Sequence, residues 1–262
     1  MAIHLFNRKK HKIDNTSLKY GIGLVTYTDP KGMISEQFKT IRTNIQFSSV
    51  DKKLKSLLFT SSDPSEGKST ISNNVAVTWA DQGSKVILVD SDLRRPTVHK
   101  TFGVSNRKGL SNYLLGNATL DEIIQPTVVD GLYVITSGPV PPNPAELLGS
   151  MRTKDLLVRL VDKFDLLVLD APPVNTVTDA QVLAAQVDGT ILVVPQGIAD
   201  KAGVMHAKEA LETVNANILG AIMNRVTEQK SGGYYGGSYY GGSYYGGYYG
   251  GYYGSEGKKK KK

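Results

Sequence analysis

The chain is 262 residues long, lacks cysteine, and carries a net charge of +7 from 31 basic and 24 acidic residues. That length closes a core without disulfide or metal staples, and the missing thiols exclude a disulfide framework, a cysteine zinc site, an iron–sulfur cluster and a cysteine nucleophile. The charge is uneven: residues 1–20 and 231–262 each carry +4, and 21–230 carry −1. This argues against a nucleic-acid-binding face and for basic ends directed at an anionic membrane surface or an acidic partner.

Residues 1–30 read as a basic arm (Arg8, Lys9, Lys10, Lys12) without a core of its own, ending in the turn signal Thr28-Asp29-Pro30. The basic start is not followed by an apolar segment, so it does not read as a signal peptide. No run approaches about 18 apolar residues, so no transmembrane helix is expected and the predicted location is the cytoplasm. Residues 31–230 read as one domain. Ile34, Phe38, Ile41 and Ile45 recur at helical spacing and predict an amphipathic helix over 33–48. The run SLLFTS at 56–61 predicts a buried strand, and Ile71, Val75 and Trp79 lie on one face of the helix that follows. Gly83 stands at a C-cap position and KVILVD at 85–90 is a second strand. A third strand is predicted over 132–136. Asn143-Pro144-Ala145-Glu146 is a helix start, with Asn at N-cap and Pro at N1. Leu156, Leu157 and Leu160 mark a further helix, followed by strands over 165–170 and 190–194. A helix near 200–215 and a final strand over 218–223 complete the pattern. Near-continuous apolar strands separated by helices predict an α/β fold with a mostly parallel central sheet covered on both faces.

Residues 231–262 are a different material, with twelve of the 27 glycines and ten of the 14 tyrosines. The tyrosines come in pairs: Tyr234 and Tyr235, Tyr239 and Tyr240, Tyr244 and Tyr245, Tyr248 and Tyr249, Tyr252 and Tyr253. Lys258 to Lys262 close the chain. Such a composition cannot bury a core, so a disordered tail is expected.

The strand at 56–61 runs into Ser62-Asp63-Pro64-Ser65-Glu66-Gly67-Lys68-Ser69-Thr70 and then into a helix. Strand, Gly-Lys-Ser and helix in this order are the context of a phosphate-binding P-loop. Backbone N–H groups of Ser65, Glu66, Gly67, Lys68, Ser69 and Thr70 would cradle phosphates at the helix N-terminus. Lys68 would reach the β- and γ-phosphates, and Ser69 would hold Mg²⁺. Ser62 stands where the usual first glycine is expected. The second strand ends in Asp90-Ser91-Asp92, two carboxylates at even spacing on an extended chain, and the run 166–169 ends in Asp170 as a Walker-B strand does. Strand-end caps are the plain alternative for any one of these residues. Three carboxylates at strand ends beside a P-loop point to a magnesium and nucleotide site at the carboxyl edge of a parallel sheet.

These motifs together resemble the bacterial tyrosine kinases of capsule and exopolysaccharide synthesis, within the deviant-Walker group of P-loop ATPases. Residues 61–70 resemble the family's Walker A, 87–94 (ILVDSDLR) its Walker A′ and 166–172 its Walker B. Glu36, Lys39 and Arg42 match its Glu-x-x-Arg-x-x-Arg assembly helix, with Lys39 in place of the first Arg. Residues 138–148 (GPVPPNPAELL) resemble another characteristic stretch, and the tyrosine pairs resemble its autophosphorylated cluster. Cell-division and plasmid-partition relatives carry a Lys five residues before the P-loop Lys, where this chain has Asp63.

The resemblance implies transfer of phosphate from ATP to tyrosine, with Mg²⁺ at Ser69, Asp92 and Asp170. Catalysis would rest on Lys68, Asp90 and Asp92. Asp90 is the choice of base, though sequence does not separate it from Asp92. Asn224-Arg225 resembles the place where this group holds adenine, a strand-end turn being the plain alternative. The resemblance further implies a ring-like homo-oligomer through Glu36, Lys39 and Arg42, and a tyrosine phosphatase that reverses the modification. It also implies a transmembrane activator, the polysaccharide co-polymerase, that holds the chain at the inner face of the membrane by its cytoplasmic tail. A second class of function is a non-kinase ATPase switch that positions a membrane partner; the ten tail tyrosines and Asp63 favour the kinase.

Overall fold

The computed structural model describes residues 16–49 and 53–226. In chain order these form α1 (Thr16–Tyr20), α2 (Val25–Thr28), α3 (Met33–Phe47), β1 (Ser56–Ser61), α4 (Lys68–Ala80), β2 (Val86–Asp90) and α5 (Val98–Phe102). They continue with α6 (Leu110–Leu114), α7 (Leu120–Ile123), β3 (Ile124–Pro126), β4 (Leu132–Ile135), α8 (Pro144–Leu148) and α9 (Met151–Lys163). Last come β5 (Leu166–Asp170), α10 (Asp179–Ala184), β6 (Gly189–Pro195), α11 (Lys201–Thr213) and β7 (Ile218–Asn224).

The strands form one sheet in the order β3-β4-β2-β5-β1-β6-β7, parallel throughout except for the antiparallel edge pair β3–β4. The expected α/β fold with a mostly parallel sheet is therefore present. Every residue of β1, β2 and β5 is buried, as apolar runs covered on both faces require. Successive side chains alternate between the two faces. Leu58, Ile87, Val89, Leu167 and Leu169 pack with Leu156 and Leu160 of α9, Leu183 of α10 and Leu211 of α11. Leu57, Phe59, Val86, Leu88 and Val168 pack on the other face with α4 and with Phe38 and Ile45 of α3.

The structure departs from the sequence reading in four places. Residues 16–28, placed in the arm, fold onto the body: Leu24 joins the core, and buried Thr26 bonds to Asn74 of α4 through both its N–H (3.0 Å) and its hydroxyl (2.9 Å). Helix α4 is buried all round from Ile71 to Ala80, because the sheet covers one side while α2 and α3 cover the other. Gly83 follows the helix end by three residues and closes the turn, with φ +83° and its N–H on the Ala80 carbonyl. Asn143 does not cap α8 by accepting from its backbone; its amide donates to Glu146 at 3.0 Å. The basic cluster Arg8 to Lys12, the tail tyrosines and the terminal lysines lie outside the described residues.

The polar interior around Asn74 fixes α2 against α4. Its Oδ1 accepts from Thr26, and its Nδ2 donates to the carbonyls of Gly23 (3.0 Å) and Thr70 (2.9 Å). Asn74→Ala strands these groups out of water, and urea unfolding is expected to show a loss of about 3 kcal/mol.

Candidate active site

β1 delivers the chain at Ser61 and α4 starts at Lys68, so residues 62–67 make the turn between strand and helix. Ser65 (φ 66°) and Gly67 (φ 97°) both take the left-handed conformation. A Cβ on Gly67 would also collide with the Asn224 side-chain amide, so position 67 requires glycine for two reasons. Glu66 folds back into the loop, its Oε2 accepting from the Ser62 hydroxyl (2.8 Å) and the Asp63 N–H (2.9 Å). Burial pushes the Glu66 carboxyl up, and those two hydrogen bonds oppose the shift. Its side chain is thus a staple inside the loop. Ser62, in the place of the usual glycine, supplies the other half of the staple.

Asp90 and Asp170 meet because they are register partners at the ends of adjacent strands β2 and β5. Lys68 comes up from the start of α4. Its Nζ lies 3.0 Å from Asp92 Oδ2, 3.4 Å from Asp170 Oδ1 and 3.3 Å from Ser69 Oγ. Burial by itself would lower the Lys68 pKa, but the charges of Asp170 and Asp92 raise it. Burial likewise opposes ionisation of Asp92, but the charge and hydrogen bond of Lys68 and the N–H groups of Arg95 and Arg94 hold its carboxyl below the usual range.

Asp90 behaves differently. Although it shares the site, its Oδ2 accepts the N–H groups of Thr97 and Val98 at 3.0 Å, capping α5. The strand ends at Asp90, so the alternation that would aim Asp90 and Asp92 alike stops there. Burial and the charges of Asp170 and Asp92 push the Asp90 carboxyl well up. Asp170 is also raised by burial, against the pull of Lys68 and Ser69. Asp90 Oδ1 and Asp170 Oδ2 are buried without a hydrogen-bond partner among the described residues.

The orphaned Asp170 Oδ2, together with the Ser69 hydroxyl, suits a Mg²⁺ that takes only one or two carboxylates from protein and completes its shell with water and phosphate. Among the described residues no closed cluster of three or more His, Cys, Asp or Glu forms a metal cage. Asn224, at the end of β7, lies against the loop with its Nδ2 3.0 Å from the Glu66 carbonyl, and Thr70 stands in the first turn of α4, its carbonyl accepting from Asn74. A cavity of about 610 Å³ between Tyr113, Arg152 and Arg159 shares no residue with this site.

Sequence reasoning missed two supports. Arg94 makes a two-pronged pair with the fully buried Asp179 at the start of α10 (3.0 and 3.1 Å), bracing the loop that carries Asp92. Asn175, after β5, joins its N–H to the Ser62 carbonyl and its amide to the Gly203 carbonyl of α11. Neither has a local signal, because the partners are distant in sequence. The assembly triad divides. Glu36 and Lys39 pair in the open at 2.7 Å, with Lys39 also on the Pro30 carbonyl. Arg42 turns inward, is buried against α4 and donates to the Thr78 carbonyl; burial lowers its pKa against Asp81 and Glu36.

The fold and loop define a P-loop nucleotide-binding protein. A family model described as ParA, an iron-transfer P-loop NTPase, matches residues 55–232. The tyrosine-protein kinase YwqD of Bacillus subtilis is 46% identical over 215 residues, covering 81% of this chain and 91% of that protein. The kinase domain of the Escherichia coli tyrosine kinase ETK superposes with a TM-score of 0.77 at 34% identity, over 91% of this chain and 92% of that one. The chimerical protein CapA2B2 gives a TM-score of 0.76 at 40% identity, over 78% and 90%. The chain belongs to the bacterial tyrosine-protein kinases, a branch of the ParA-like P-loop NTPases, and is a protein-tyrosine kinase.

Two outcomes test the electrostatics. The raised Asp90 carboxyl means that its ionised form is disfavoured by folding. That cost is absent below the usual carboxylate range near pH 4 and grows as pH rises toward the raised folded value. Asp90→Asn keeps an oxygen for Thr97 and Val98 and removes the charge. In EDTA it is expected to stabilise the fold by about 1 kcal/mol at pH 8, a gain that vanishes near pH 4. Arg94→Ala leaves Asp179 buried and unpaired. Urea unfolding is expected to show a loss of about 2 kcal/mol, the Arg94 end being 40% exposed and screened, with most of it restored by Asp179→Asn.

Proposed function

We propose that this kinase uses Mg-ATP to phosphorylate its own C-terminal tyrosines, from Tyr234 to Tyr253, in trans within a ring-like homo-oligomer, and thereby regulates polymerisation and export of a capsular polysaccharide or exopolysaccharide. The observation that carries the reading is the junction of Lys68 with Asp92 and Asp170 at the P-loop, in a chain that itself supplies ten paired tyrosines. The N–H groups of residues 65–70 and Lys68 take the phosphate charge. Ser69, Asp92 and Asp170 would hold Mg²⁺, which would supply further neutralisation of phosphate charge. Asn224 stands at the loop for the adenine end.

In the step itself the tyrosine oxygen forms a bond to the γ-phosphorus, and the bond from that phosphorus to the β-bridging oxygen breaks, leaving ADP. The phenolic proton passes to Asp90. Support for Asp90 over Asp92 is its orphaned Oδ1 and raised carboxyl, whereas Asp92 is committed to Lys68 and holds a proton poorly.

No helix of the described residues is long and apolar enough to cross a membrane. Membrane attachment is assigned to the cytoplasmic segment of a transmembrane co-polymerase, with the exposed Glu36–Lys39 pair available to a neighbouring copy. Each tail phosphate adds about −1.5 to −2 charge, so a few cancel the +4 of residues 231–262 and more reverse it. That reversal would change subunit or membrane attachment until a phosphatase restores it.

The test is mass spectrometry after incubation with Mg-ATP, with and without the activator segment. Phosphate on the tail tyrosines is expected, falling by about 10²–10³ in rate in Lys68→Met. ATP consumed without phosphotyrosine, even with the activator present, would replace the kinase reading with an ATPase switch.

A further inference from the structure

β7 ends at Asn224, and the chain turns at the exposed Arg225, whose φ is +55°. Both residues reach the phosphate loop from far along the sequence. Asn224 Nδ2 donates to the Glu66 carbonyl at 3.0 Å, and its Oδ1 accepts the Arg225 N–H at 2.8 Å. Arg225 Nη2 donates to the Ser65 carbonyl at 3.0 Å. Gly67 closes on the Asn224 amide so tightly that no side chain fits between them. Three consecutive loop residues are thus gripped from one side.

A trans peptide points its oxygen and the next N–H in opposite directions. Drawing the Ser65 and Glu66 oxygens toward residues 224–225 therefore turns the N–H groups of Glu66 and Gly67 the other way, and phosphate recognition needs loop amides that converge. Ser65 also needs holding, because a left-handed conformation at φ 66° is unfavourable for any residue with a Cβ.

We infer that Arg225 is a positioning residue for the nucleotide phosphates: its guanidinium latches Ser65 in the left-handed conformation and presets the loop for a nucleoside di- or triphosphate. The inference rests on the nucleotide-binding reading of the loop. Arg225 stands nine residues before Tyr234, so the latch lies at the sequence root of the proposed acceptor segment.

Calorimetric titration of the full chain with Mg-ADP tests it. Arg225→Ala is expected to weaken binding about tenfold. Its nucleotide-free melting temperature stays within about 2 °C of wild type, because the side chain is exposed. Arg225→Lys, which can still donate to the Ser65 carbonyl, restores most of the affinity. Ser65→Gly removes the strain that the latch opposes, so in that background Arg225→Ala costs under about threefold. In autophosphorylation the Arg225→Ala defect falls on KM for ATP rather than on kcat. Unchanged affinity in Arg225→Ala overturns the inference, as does a full tenfold loss in the Ser65→Gly background, or Arg225→Lys binding as weakly as Arg225→Ala. Wild type failing to bind Mg-ADP would instead overturn the nucleotide reading.

Discussion

Lys68 is withdrawn from water at the base of the phosphate loop, and a buried ammonium costs several kcal/mol unless it is paired. Asp92 and Asp170 supply the pairing, and the arrangement of the sheet follows from the need to bring them there. β5 lies between β1 and β2, so the strand that feeds the phosphate loop and the strand that feeds Asp92 flank the strand that ends in Asp170. The pairing keeps Lys68 and Asp92 charged at neutral pH. Burial still raises Asp170, and it pushes Asp90, which makes no ion pair with Lys68 among the described residues, well up.

A second layer of polar contacts keeps that junction in place. Arg94 ties the loop after β2 to α10, Asn175 ties the segment after β5 to Ser62 and α11, and Glu66 staples the phosphate loop to itself. Asp188 holds the start of β1, accepting from the N–H groups of Lys55 and Ser56 and from the Ser56 hydroxyl. Most of these acceptors are carboxylates or amides taken out of water, where an unsatisfied group costs more than the bond contributes. The site is therefore rigid where phosphate would be held. Asp90 Oδ1 and Asp170 Oδ2 are buried oxygens without a hydrogen-bond partner among the described residues.

Much of the fold was legible. Strands 56–61, 85–90, 165–170 and 218–223 were announced by apolar runs, and their observed bounds differ by at most a residue at either end. Helices α3 and α9 showed in their spacing of apolar residues, and α11 was expected between the last two strands. The short helices α5, α6, α7 and α10 were not legible, because four to six residues give too little periodicity to read. Edge strand β3 was missed for a related reason: Ile124–Pro126 has no alternation, and its proline is tolerated only because the strand is an edge. The all-round burial of α4 was also hidden, since its sequence does not reveal that a second layer, α2 and α3, covers its outer side.

By itself the sequence determined the parallel α/β sheet, the phosphate loop with Lys68 and Ser69, and the three strand-end carboxylates. Hydrophobic runs and glycine-bearing turns are local properties, and local properties can be read along a chain. The division of labour among the carboxylates was decided by tertiary structure. Asp92 became the partner of Lys68 and Asp90 the cap of α5 because the chain leaves β2 into a loop, where strand alternation no longer applies. The inward turn of Arg42, the Arg94–Asp179 brace and the Arg225 contact with Ser65 likewise depend on which elements the fold packs together. Such pairings join residues from 36 to 160 positions apart, and no local pattern encodes a contact that exists only after the core has closed.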